Sequence, residues 1–216
     1  IRAESIVGRT NVEVTEPFWF RDEFREDSRG RYNGYPAGYA IGGGVLTVTT
    51  NWRALLTPTK ITDEVISMDM NIPTSKYATN IAFGCSSSDV IDDPQTNIRC
   101  NTISIPDGVN SVVLRVAGNE TASAAFNRNL LVGTHTLKAV IQRSLGQILI
   151  YVDDVLASTI SHASIASIPA GYCGIGSGFG VTSYDNLQIS GTRVYNKPIH
   201  RGAMLETYHD GTQEVV

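Results

Sequence analysis

Charge is scarce in this chain. Only 18% of its 216 residues are charged, against roughly 25% in an average globular protein. Seventeen basic side chains face 21 acidic ones, for a net charge of −4. That argues against nucleic-acid binding, which needs concentrated positive charge. No run of 18 apolar residues occurs, so no transmembrane helix is expected. The chain opens on Ile1 with no charged-then-apolar leader, as expected of a processed product or a piece of something longer. Cysteine is also sparse. Cys85, Cys100 and Cys173 are an odd number, where a disulfide framework is normally even. Cys85 and Cys100 can pair across a loop; the alternative is three small buried apolar side chains in a reducing setting. None sits in a CxxC and no histidine stands at zinc spacing, so zinc is not expected.

Helical periodicity is missing too. Only residues 161–169 (SHASIASIP) could make a short helical turn. What is present instead is a period of two, the mark of half-buried strands. In 63–72, Ile66, Met68, Met70 and Ile72 share one face, and Ser67, Asp69 and Asn71 the other. In 111–116, Val112, Leu114 and Val116 oppose Val113 and Arg115. Residues 135–160 read as a hairpin with its turn at Gly146, then a third strand after the VDDV turn. Residues 18–24 (FWFRDEF) form an alternating aromatic strand, 26–38 a loop, and the glycine triplet at 42–44 a turn between two strand halves. Roughly a dozen strands without helices imply an antiparallel sandwich. Residues 18–190 are assigned to it. Residues 1–17, set off by Pro17, form an N-terminal arm, and 191–216 a C-terminal arm. That last segment carries Val194, Tyr195, Ile199, Met204, Leu205 and Tyr208. It is expected to pack on its own sandwich or on a neighbour's edge, broken into two pieces by Pro198 and Gly202.

The order of FRDEF, YAIGGGVLTV, DEVISMDMNI, THTLKAVIQ with ILIYVDDVL, AGYCGIGSG and SYDNLQI resembles the concanavalin A-like lectin/glucanase superfamily, in its laminin-G-like and keto-disaccharide hydrolase-like branches. The likeness spans about residues 18–190. It implies an all-β, antiparallel jelly-roll β-sandwich. It further implies a lectin-like carbohydrate-binding or adhesion module on an extracellular or virion surface, whose partner is a glycan or cell-surface polysaccharide. Similar domains occur in minor tail proteins of bacterial viruses. The alternative is therefore a structural tail or capsid-surface protein that contacts other protein subunits through its terminal arms. Asp154 stands where the family usually has Gly, which bears on the turn geometry. The resemblance also implies a structural Ca²⁺ between the first and last strands, with Asp22, Asp185 and Asn186 as oxygen ligands.

An enzyme is not expected. Glucanases of the superfamily use an E-x-D-x-x-E strand, and none of the nine glutamates has Asp two positions later. Glu64 and Asp69 are five apart, which on a strand puts them on opposite faces. No G-x-S-x-G and no phosphate-cradling loop is present. Sugar binding needs an aromatic to stack on the ring and planar polar groups for hydroxyls. Tyr32, Tyr35, Tyr39 and Trp52 cluster in and after the long loop, with Arg53 beside Trp52. On the strands Asp69, Arg115, Lys138 and Tyr151 fall opposite the apolar positions. The expected ligand contacts are Tyr32, Tyr35, Trp52, Arg53, Asp69, Arg115, Lys138 and Tyr151.

Overall fold

A computed structural model describes residues 9–34, 36–49, 54–73, 78–86, 100–177, 183–200, 205–207 and 213–215. Within them the chain runs through β1 (Arg9–Asp22), β2 (Asn33–Gly34), β3 (Tyr39–Gly42), β4 (Val45–Val48), β5 (Ala54–Leu56), β6 (Ile61–Ile72), β7 (Thr79–Cys85), β8 (Asn101–Ile105) and β9 (Ser111–Val116). It continues through β10 (Asn119–Ala125), β11 (Gly133–Gln142), β12 (Gln147–Val152), β13 (Val155–Ser161), the one-turn helix α1 (Ser164–Ser167), β14 (Tyr172–Ser177), β15 (Ser183–His200), β16 (Leu205–Thr207) and β17 (Gln213–Val215).

Two antiparallel sheets face each other. The first has the order β13-β12-β11-β6-β15-β4-β3, with β1 also paired to β15. The second runs β10-β9-β8-β7-β14-β5-β2, and β16 and β17 pair with each other. The inner faces follow from the period of two. Ile66, Met68, Leu137, Ile150 and Val152 from the first sheet and Leu114 from the second are all buried in one core, as the alternation predicts. Ile81, Phe83, Ile103 and Ile175 of the second sheet meet them. A smaller cluster joins Ala54 and Leu56 of β5, Ala82 and Cys85 of β7, and Cys100 just before β8. Gly174 sits in β14 between β5 and β7, where a Cβ would run into the Leu55 carbonyl oxygen, so only glycine fits.

Turns match their residues. Gly43 and Gly44, with φ 64° and 81°, join β3 to β4. Asp153 and Asp154, with φ 49° and 61°, join β12 to β13. Two left-handed residues in a row are what a type I′ hairpin turn requires. Asp154 therefore keeps the turn that a family glycine would make. The Asp153 carboxylate helps hold it, accepting from the Thr136 amide at 2.9 Å and bonding His135 Nδ1 at 2.7 Å.

Two expectations about the ends change. β1 runs through Pro17, which pairs with Thr192, and β15 runs through Pro198, which pairs with Asn11. Neither proline breaks its strand. Among the described residues β1 is bonded to β15 alone, and at Pro198 β15 is bonded to β1 alone; a strand with one open side accommodates a residue that lacks an N–H. The two segments assigned as arms therefore pair with each other, residues 9–17 against 192–200. Cys85 and Cys100 form a disulfide, and Cys173 is free and buried. Of the alternatives for the first two cysteines, the structure takes the bond.

Candidate functional site

The outer face of the first sheet carries the candidate site. Along β1, Phe18, Phe20 and Asp22 turn inward, which leaves Trp19 and Arg21 outward. Trp19 is 64% exposed, a large apolar ring standing in water. It borders a depression of about 550 Å³. The floor comes from three further strands: Asn186, Gln188 and Ser190 of β15, Ser67 and Asp69 of β6, and Thr136 and Lys138 of β11. Asp154, in the β12–β13 turn, borders it beside Lys138.

The floor is pre-arranged by its own hydrogen bonds. Asp69 Oδ1 accepts from the Thr136 hydroxyl at 2.6 Å, and Oδ2 accepts from the Asn186 side-chain amide at 2.7 Å. One carboxylate thus ties β6 to both of its neighbours. Asn186 reaches it because β15 is bulged. The β6–β15 register slips between Asp185 and Gln188, and Asn186 has φ 48°. A bulge inserts a residue and re-aims a side chain. Lys138 is ion-paired with Asp154, and its ammonium lies 5.0 Å from the Tyr151 ring centroid.

The expected contacts divide accordingly. Asp69 and Lys138 line the depression, and Tyr151 stands beside Lys138 on the same face. Arg115 does not join them. It lies on β9 in the other sheet, 3.9 Å from Glu120. Tyr32 is corrected from an exposed stacking ring to a core residue. It is buried edge-to-face against Phe20, and its hydroxyl donates to Asp22 Oδ2 at 2.9 Å. Burial and the neighbouring carboxylate push its ionisation far above the ordinary tyrosine value. Tyr39 is buried as well. Tyr35, Trp52 and Arg53 lie outside the described residues.

The calcium ligands do not fit a cation. Asp22 is buried, with Oδ1 accepting from the Phe24 amide and Oδ2 from Tyr32, and the Arg31 guanidinium 3.6 Å away opposes a second positive charge. Asp22 pairs with Leu187 on one flank of β15, whereas Asp185 pairs with Asp69 on the other. Asp185 Oδ1 accepts from the Asn186 amide. Among the described residues no three His, Cys, Asp or Glu side chains group as a metal site. Calcium needs six to eight converging oxygens, and these do not converge.

Trp19, Arg21 and Gln188 were not among the expected contacts. The signal for Trp19 is the alternation of FWFRD itself. If Phe18 and Phe20 point to the core, Trp19 points to water.

No protein-family model and no curated protein matches the chain. Solved structures do match. Winged bean acidic lectin, complexed with methyl-α-D-galactose, is 10% identical with a TM-score of 0.56, covering 83% of this chain and 100% of its own. LamA of Zobellia galactanivorans, in complex with laminaritriose and laminaritetraose, is 11% identical with a TM-score of 0.51, covering 84% and 98%. These likenesses and the two facing sheets define the class. The chain has the concanavalin A-like fold, an all-β antiparallel jelly-roll sandwich.

Proposed function

We propose that this protein is a non-catalytic glycan-binding module, lectin-like in mode, that takes its ligand on the outer face of the first sheet around Trp19. The observation that carries the reading is Trp19 itself, 64% exposed beside a polar floor. Sugar rings present an apolar face edged by hydroxyls. An exposed indole stacks on the face, while Gln188, Asn186, Asp69 and Lys138 offer the donors and acceptors. The two solved complexes above, which hold a galactoside and glucan oligosaccharides, support a carbohydrate ligand for a chain of this fold.

The missing E-x-D-x-x-E strand supports binding over hydrolysis. A glycosidase needs a general acid and a second carboxylate about 5–9 Å apart across the bond it cleaves. Asp69 and Asp154 are the carboxylates among the described residues that line the depression. The first is tied to Thr136 and Asn186 and the second to Lys138. Glu64 lies on the other face, buried.

Adhesion within a larger surface assembly, extracellular or on a virion, is the finer form of the proposal. The Cys85–Cys100 disulfide supports an oxidising setting. A structural tail or capsid-surface role, with other subunits contacted through the terminal segments, is the second reading. Its support is the open edge of β1, which among the described residues is bonded on one side only, to β15.

A glycan array decides between them. The wild-type chain is expected to bind, and Trp19→Ala to lose at least about tenfold in affinity, about 1.4 kcal/mol, with an unchanged melting temperature. Equal binding by the variant would overturn the Trp19 site. A blank array, with multimers in solution, would select the structural reading.

A further inference from the structure

We infer that the ligand is an internal stretch of a glycan chain, lying across the strands from Lys138 over Trp19 towards Arg25, and not a terminal sugar. The inference rests on the glycan-binding reading above and adds the length and direction of the ligand.

The first reason is width. β1, β15, β6 and β11 stand side by side, and neighbouring strands are about 4.8 Å apart, so three steps span about 14 Å. The lining side chains begin at Trp19 and Arg21 on β1 and end at Thr136 and Lys138 on β11. A single pyranose ring covers only a part of that floor, and the polar groups beyond it would stay with water.

The second reason is that Trp19 is a ridge and not an end wall. A second depression, of about 480 Å³, lies on its other flank. Trp19 and Arg21 line both. The far side is built by the segment after β1, with Glu23, Arg25 and Arg31. Arg25 is 81% exposed, and Glu23 is shared as ion-pair partner between Arg21 at 2.6 Å and Arg25 at 2.7 Å. A terminal-sugar site closes around one end of its ligand. Here the aromatic surface is in the middle, and each flank carries its own acidic and basic groups: Asp69 with Lys138 on one side, Glu23 with Arg25 on the other. Donors and acceptors at both ends, with an aromatic between, suit successive sugars of one chain.

Ladders of glucose, galactose and xylose homo-oligomers, one to eight units long, test this by calorimetry and on an array. For the ladder that binds, affinity is expected to rise at least about tenfold between the disaccharide and the pentamer, then level off. Lys138→Ala and Arg25→Ala, at opposite ends, are each expected to shorten the length at which affinity levels off, and the double variant to shorten it further. Mono- or disaccharide binding as tight as that of the octamer overturns the inference while leaving the glycan reading in place. A length-dependent rise that neither end variant alters also overturns it. Failure of every ladder together with a blank array overturns the glycan reading itself.

Discussion

At pH 8, where Glu64 is ionised, Arg143→Ala is expected to cost about 3–5 kcal/mol of folding stability, the usual penalty for stranding one member of a buried ion pair, and less at lower pH, where the carboxyl takes up a proton. Arg143 follows β11, and its side chain is 8% exposed, while that of its partner Glu64 is fully buried. The guanidinium donates to Glu64 Oε1 and to the Ile168 carbonyl oxygen, and lies 6.0 Å from the Phe83 ring centroid. Truncation removes both donations and leaves the buried carboxylate without its counter-ion. The Glu64 carboxyl is already pushed up to about 7, chiefly by burial, with Arg143 pulling the other way. A folded-state value above the unfolded one means that the folded chain binds this proton more tightly. The contribution is full below about pH 4.5 and is lost as pH rises through about 7. Wild-type stability should therefore carry a falling component between those limits. Glu64→Gln should remove it, because the amide keeps an acceptor for Arg143 and does not titrate. Urea melts of the three proteins from pH 4.5 to 8 check both statements. Equal pH slopes for wild type and Glu64→Gln would refute the assignment. A loss under 1 kcal/mol in Arg143→Ala at pH 8 would mean that Glu64 finds another partner.

The same burial accounts for what could and could not be read from the residues. β6, β11 and β12 each have one face in the core and one in water, so Ile66, Leu137 and Ile150 alternate with Asp69, Lys138 and Tyr151. Their register and the outward half of the site were legible from that alone. β8 was not, because Asn101, Thr102 and Ser104 are buried polar residues and blur the period. Their hydrogen bonds make this tolerable: Asn101 donates to the Phe83 and Gly84 carbonyls, and Thr102 and Ser104 bond each other at 3.3 Å. β10 is largely open to solvent and lacks an apolar stripe for the opposite reason. Pro17 and Pro198 suggested breaks because a proline's missing N–H matters only on the bonded side of a strand, and which side is bonded is a tertiary fact. Tyr32 shows the same limit for the site. Its place in a Gly- and Asp-rich loop suggested exposure, yet Phe20 and the Asp22 carboxylate draw it inward. The bulge at Asn186 had no local signature strong enough to place its amide on Asp69.

Removal of the disulfide as Cys85→Ala with Cys100→Ala is expected to lower stability by about 2–4 kcal/mol. The bond joins the end of β7 to the residue before β8 and spans 15 positions, a loop whose closure restricts the unfolded chain by about 3 kcal/mol. Both half-cystines are buried with Ala54, Leu56 and Ala82, and Tyr172 packs on them. Alanine leaves a small void there, whereas serine would add buried hydroxyls, so the alanine pair isolates the cross-link more cleanly. A chain of this length loses about 2–4 °C of melting temperature per kcal/mol, so the double variant should melt about 4–16 °C lower. Cys173 supplies an internal reporter. It is fully buried, and burial pushes its thiol well above the ordinary value, so in the folded state it stays protonated and unreactive. Iodoacetamide labelling of Cys173 therefore counts openings of the core. With opening and closing fast, labelling tracks the open population, and the double variant should label roughly 30- to 1,000-fold faster at neutral pH. Equal labelling rates and equal urea midpoints in the two proteins would show that the β7–β8 connection is held by its strand pairing alone, with the bond adding nothing.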